Sequence, residues 1–244
     1  MKMKIGLAAI VGAAALSLAV PAFGQNAMKL TGANDGISYD PVSGGSAYGG
    51  LYQGTINGIA TNIICDDAED TISVGLAWKA TAMNATQIAN NLGSTMFDGT
   101  IGVIGYAEVA TLVEDVFNNA TTQGDRDALS SAIWAITYNH GTLGLSGEAL
   151  TYYTNVTGKF GSNASAAAIA LGQDGNLWLL TPSPNHSSQE FWVSTGPNGT
   201  PNYNPWSLRV PEGGSALLYL LLAGLTCFGA MRFSSKKEFG IRAA

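Results

Sequence analysis

The chain has 244 residues and a formal net charge of −6, with 11% charged residues, two cysteines and two histidines. Between the two ends, residues 25–209 hold five cations against fifteen carboxylates, a net charge of −10. That balance excludes a nucleic-acid binder or a docker on anionic lipid, because both bind through cationic patches.

In chain order, Lys2 and Lys4 precede an apolar run from Ile5 to Val20, and Pro21 breaks it before Ala22-Phe23-Gly24. A charged start, an apolar core and small residues at the cleavage positions predict a secretory signal peptide over residues 1–24. An exported domain follows over 25–195. Its opening, Gln25 to Gly50, is rich in Gly, Ser, Asn and Asp and reads as loop or irregular edge. From Leu51 two β-branched runs flank Asn57-Gly58, a hairpin signal. Ile72, Val74, Leu76 and Trp78 alternate and predict a further strand over Thr71 to Ala82.

The period then changes. Tyr106, Val109, Ala110, Val113 and Phe117 share one helical face, and Leu129, Ala132, Ile133 and Ile136 share another, with Asp125 and Asp127 near its start. "GEALTYYTNV" and "NASAAAIALG" predict two shorter helices, and "NLWLL" and "EFWVST" return to strand. The expected fold class is α+β, a mostly antiparallel β framework with a central helical insertion. Residues 196–214 read as a stalk and signpost. The uncharged run 215–231 reads as a transmembrane helix, and 232–244, with Arg232, Lys236, Lys237 and Arg242, as a basic cytoplasmic tail.

Val210-Pro211-Glu212-Gly213-Gly214, the apolar run and the terminal cations together resemble the PEP-CTERM family of bacterial sorting signals, closest to its VPxxG-type variants. The resemblance covers about the last 30 residues. It implies signal peptidase and an exosortase-type sorting protease as partners, a membrane engaged through the C-terminal helix, and an exopolysaccharide-rich surface. Cys65 on a strand and "SSAIW" (Ser130 to Trp134) on a helix also resemble bacterial surface thioester domains. There the strand cysteine joins a Gln two residues before Ala-Ile-Trp, making an internal electrophile that captures amines. In this chain Ser130 stands at that position, and a hydroxyl supplies no acyl carbon; Gln123 lies seven residues too early. The resemblance therefore implies a related fold, with Ile133 and Trp134 as core residues of the helix.

Other chemistry is sparse. Asp66, Asp67, Glu69 and Asp70 follow Cys65 directly, enough oxygen for calcium, although the spacing is not that of an EF-hand and a solvated acidic turn is the favoured reading. His140 and His186 are the only near-neutral bases, each without a second histidine nearby, and no G-x-S-x-G or H-E-x-x-H exists. Asp66, Glu108 and Glu114 are carboxylates for a hydrolase by position alone. Tyr152, Tyr153, Trp178, Trp192 and Trp206 are aromatics for sugar stacking or for a core. The sequence thus predicts an exported, non-enzymatic structural or adhesive envelope protein with no cofactor, ahead of a carbohydrate-binding module or a secreted hydrolase.

Overall fold

The computed structural model describes residues 25–195 apart from 34, 36, 41, 42, 71, 140, 174 and 185. The expected signal peptide, stalk, sorting motif Val210–Gly214, transmembrane segment and basic tail lie outside these, as do His140 and Trp206. Among the described residues no helix is long and apolar enough to cross a membrane.

Six strands close into an antiparallel barrel in the order β1-β4-β5-β8-β7-β6. These are β1 (Gln25–Ala33), β4 (Leu51–Ile56), β5 (Ile59–Cys65), β6 (Ala77–Asn84), β7 (Leu177–Pro182) and β8 (Phe191–Ser194). A separate two-stranded hairpin joins β2 (Ile37–Asp40) to β3 (Gly45–Tyr48). Between β6 and β7 lie five helices: α1 (Ala85–Asn90), α2 (Gly102–Asn118), α3 (Gln123–Thr137), α4 (Gly147–Val156) and α5 (Ala164–Gln173). An antiparallel framework with a central helical insertion is thus what the chain forms.

Two expectations need correction. Gln25 to Gly50 is not loop: β1 is its longest strand, with Asn26, Met28 and Leu30 buried and their neighbours exposed. That period of two, in "NAMKL", outweighs the Gly and Asn content around it. The strand expected from Thr71 begins only at Ala77, and Val74 is 61% exposed. A turn at residues 74 and 75, with Gly75 at φ 96°, interrupts the alternation before pairing starts. The Asn57-Gly58 hairpin forms as its residues dictate, with φ values of 52° and 84°, the left-handed pair that matches strand twist.

Alternation along the strands divides the core in two. Ile63, Cys65, Leu180, Phe191 and Val193 fill the barrel, whereas Ile64, Leu179 and Trp192 point outward and pack with Val109, Val113, Ile133 and Trp134 of the helices. Strands β7 and β8 are buried on both faces, which is why they read as unbroken apolar runs. Helix α3 starts at a reciprocal cap, in which Thr122 Oγ1 accepts from the Asp125 N–H and the Asp125 carboxylate accepts from the Thr122 N–H. The cap sets the phase that presents Leu129, Ala132, Ile133 and Ile136 to the core.

Candidate functional site

Strands β5 and β8 pair Ile64 with Trp192 and Cys65 with Phe191. The same antiparallel register continues past the strand ends, where the Asp66 N–H donates to Glu190 O over 3.4 Å. One step further it sets Asp67 opposite Gln189. There the Cys65 thiol donates to Asp67 O over 2.8 Å, and Gln189 Nε2 donates to the same oxygen over 2.9 Å. Thiol and carboxamide thus lie within the span of two hydrogen bonds of each other.

Cys65 is a free, buried cysteine facing the barrel interior. Burial, followed by the neighbouring Asp67 and Asp66 charges, raises its pKa and keeps the thiol neutral. Gln189 is 8% exposed, its Oε1 has no hydrogen-bond partner, and its side chain lines a cleft of about 490 Å³. Leu30, Tyr52, Ala68, Ile72 and Val74 supply half of the rest of that wall, and Asp70 and Ser73 are among the others. Tyr48, on the β2–β3 hairpin, covers one side, and the Tyr52 hydroxyl donates to Tyr48 O.

The "SSAIW" helix does reach Cys65, in a different role from acyl donor. Trp134 Nε1 donates to Cys65 O over 3.1 Å and Ile133 is fully buried, so both are core residues. Ser130 accepts instead from the Gly50 N–H over 2.7 Å, at the exit of the hairpin. One turn earlier, Arg126 grips Asp35 through Nε at 2.6 Å and Nη2 at 2.7 Å. Helix α3 therefore pins both ends of the hairpin that overhangs the cleft.

The acidic cluster divides into two environments. Asp66 and Asp67 are buried, whereas Glu69 is exposed and Asp70 is intermediate, so a fully solvated turn is not what forms. Asp67 Oδ1 accepts from the N–H groups of Glu69 and Asp70 and from the Tyr138 hydroxyl. Asp66 Oδ2 accepts from Trp192 Nε1 over 2.7 Å. Glu190, also fully buried, accepts from the Tyr106 hydroxyl over 2.8 Å, the Met96 N–H over 3.2 Å and the Thr181 hydroxyl. Burial raises the pKa of all three acids, Asp67 to about 6 and Glu190 to about 7. Among the described residues no group of three or more His, Cys, Asp or Glu is arranged to hold a metal ion. Of the four carboxylates, Asp67 is engaged by the backbone turn and a phenol, Asp66 by an indole, Glu69 is exposed, and Asp70 lines the cleft.

Other candidate residues hold structural places. Glu108 accepts from the Gly158 N–H over 2.9 Å, and Glu114 lines a separate cleft between α2 and α5. Trp192 is fully buried, and Trp178, Tyr152 and Tyr153 are partly buried against the core rather than displayed as stacking platforms. His186 is exposed, with Nδ1 3.7 Å from Asp70 Oδ2.

Sequence spacing did not point to Gln189, the carboxamide that the fold sets beside Cys65. A search by distance from Ala-Ile-Trp looks along α3, but the carboxamide arrives from the loop before β8. Its signal was the pairing of "IIC" with "FWV", which a single sequence does not declare.

The class that fold and site define is a small antiparallel barrel with a helical insertion and a buried Cys–Gln pair at one end. No protein-family model matches the chain, and neither a curated protein nor a solved structure matches it.

Proposed function

We propose that the chain is an exported cell-envelope protein that adheres covalently, through an internal thioester between Cys65 and Gln189 that captures amines. What carries the reading is the convergence of the Cys65 thiol and Gln189 Nε2 on Asp67 O, with Gln189 lining an accessible cleft. The thioester-domain resemblance of Cys65 and Ala-Ile-Trp supports it, with Gln189 in the acyl role that Ser130 cannot fill.

The chemistry balances within the chain. The Cys65 sulfur attacks the Gln189 Cδ, the C–N bond breaks, and ammonia leaves with the thiol proton. An incoming amine then attacks the same carbon, the C–S bond breaks, and the thiol returns beside a new amide. Burial protects the sulfur from outside nucleophiles and oxidants, which suits a lone thiol in an exported protein.

At the ends, the signal-peptide pattern of residues 1–24 and the PEP-CTERM-like stretch from Val210 support export and sorting by signal peptidase and an exosortase-type protease. The stretch 215–231 then acts as a temporary or lasting anchor. Adhesion at an exopolysaccharide-rich surface fits both ends.

Intact mass of the purified protein tests the site. The wild type is expected to be lighter than its sequence by one ammonia, with Cys65→Ala and Gln189→Ala both restoring the full mass. An unshifted wild-type mass ends the reading. Top-down mass spectrometry of protein from membranes and from medium tests the tail. A C-terminus near Pro211–Gly214 supports sorting, and an intact Ala244 found only in membranes refutes it.

A further inference from the structure

Resting on that thioester reading, we infer that Asp70 is a specificity-determining residue that selects a primary alkylammonium carried on an unbranched apolar stem, such as a lysyl side chain. Among the described residues lining the cleft, Asp70 is the single charged side chain. It stands among Leu30, Ile72, Val74 and the rings of Tyr48 and Tyr52, with the unpartnered Gln189 Oε1 in the same wall. One carboxylate in a mainly apolar pocket, where Ser73 and Gln189 are the neutral polar side chains beside the two tyrosines, is matched by a ligand with one cation and a hydrocarbon chain. The tyrosine faces add to the attraction for an ammonium. The rim is apolar too: Tyr48 and Val74 are 59% and 61% exposed, so the stem of an incoming chain has surface to lie on.

Asp70 is held in place by its own turn. Its N–H donates to Asp67 Oδ1 over 3.1 Å, the carboxylate whose backbone oxygen joins Cys65 to Gln189. The residue that reads the cation is thus built from the same loop as the reacting pair.

An ammonium has no lone pair and must shed a proton before it attacks. His186 takes it: its Nδ1 lies 3.7 Å from Asp70 Oδ2, on the loop that also carries Gln189. The neutral amine attacks the Gln189 acyl carbon, the C–S bond breaks, and the amine's second proton passes to the Cys65 sulfur. Asp70 then faces the imidazolium. In this step Asp70 binds the substrate, and His186 beside it accepts the proton.

The test compares two nucleophiles on the full-length protein, with the adduct on Gln189 read by peptide mass spectrometry. Butylamine is a cation at neutral pH and hydroxylamine is not. Asp70→Asn is expected to keep the ammonia deficit and the rate of hydroxylamine capture. Its butylamine capture falls about tenfold, through the half-saturating concentration. His186→Gln should lower the saturated butylamine rate without moving that concentration. Val74→Lys, at the exposed mouth, should repel butylamine and spare hydroxylamine. Equal butylamine capture by wild type and Asp70→Asn, with hydroxylamine capture also equal, overturns the role of Asp70 and leaves the thioester standing. A wild type with neither the deficit nor a hydroxylamine adduct overturns both.

Discussion

Cys65 and Gln189, from opposite ends of the domain's sequence, donate to one acceptor, the backbone oxygen of Asp67, over 2.8 and 2.9 Å. Their meeting follows from strand register. Once β5 pairs with β8 through Cys65 and Phe191, the residue two beyond the cysteine faces the residue two before the phenylalanine. A one-residue slip would turn the thiol out of the barrel and move the carboxamide off the loop.

Trp192 and Asp66 provide a first prediction about the shell of this site. The indole supplies Asp66 Oδ2 with a hydrogen bond at 2.7 Å in a fully buried setting, and Asp66 Oδ1 has no partner. Trp192→Phe keeps an aromatic ring there but removes the donor, so unfolding free energy should drop by about 2 kcal/mol. Urea denaturation measures it, and an unchanged midpoint would show that the carboxyl does not need the indole.

The hairpin clasp predicts a second loss. Burial pushes the Asp35 carboxyl up, but the Arg126 hydrogen bonds, the Leu51 N–H and the Arg126 charge together outweigh it and hold the pKa below the ordinary value. Because the pair is only partly buried, Arg126→Ala should cost about 1 kcal/mol. Gly50→Ala should cost more, since φ there is 72° and an added Cβ would stand 2.5 Å from Asp35 Oδ2. Thermal melts of the two variants rank these effects, and proteolysis at residues 37–48 should quicken in both.

Stability should depend on pH in an unusual direction. Asp67 and Glu190 titrate in the folded chain at about 6 and about 7, above their unfolded values, so folding takes up protons between pH of about 4 and 7. The stability they contribute is full below the unfolded pKa and is lost as pH rises through the folded values. The melting temperature at pH 5 should exceed that at pH 8 by roughly 5 °C. Asp35 and Asp125, with lowered pKa values, lose their contribution only below the ordinary carboxylate range and do not oppose this trend. A melting temperature that is flat or rises from pH 5 to 8 would contradict it.

Calcium should leave the melting temperature unchanged. Asp67 Oδ1 already accepts from two N–H groups and a phenol, Asp66 Oδ2 is committed to an indole, and Glu69 points outward. A clear rise on calcium addition, reversed by chelation, would show that the cluster rearranges around the ion.

Much of the fold was legible in the residues. The helical faces of α2 and α3, the Asn57-Gly58 turn and the short apolar strands β7 and β8 all declare themselves through local period and turn chemistry. Strand β1 did not, because glycine and asparagine around it mask the alternation of Asn26 to Leu30. The chain from Thr71 misled in the opposite sense, since alternation continues through a turn that places Ile72 and Val74 on the cleft wall instead of in the sheet. The acidic cluster looked solvated because four carboxylates in five positions normally are; only Trp192, Tyr138 and the β5–β8 pairing make the burial of Asp66 and Asp67 tolerable.

What the sequence by itself determined is the set of properties carried by neighbours in the chain: element type, capping, charge balance, the single thiol of the body, and the address-like patterns at both ends. Tertiary structure alone decided which carboxamide stands beside that thiol, that Ser130 fastens a hairpin, and that Asp70 is the lone charge among the described residues lining a mainly apolar cleft. The physical reason is that closing a barrel brings together residues separated by the whole helical insertion. The register that selects the exact partners is a sum over many weak pairings, and no single residue records it.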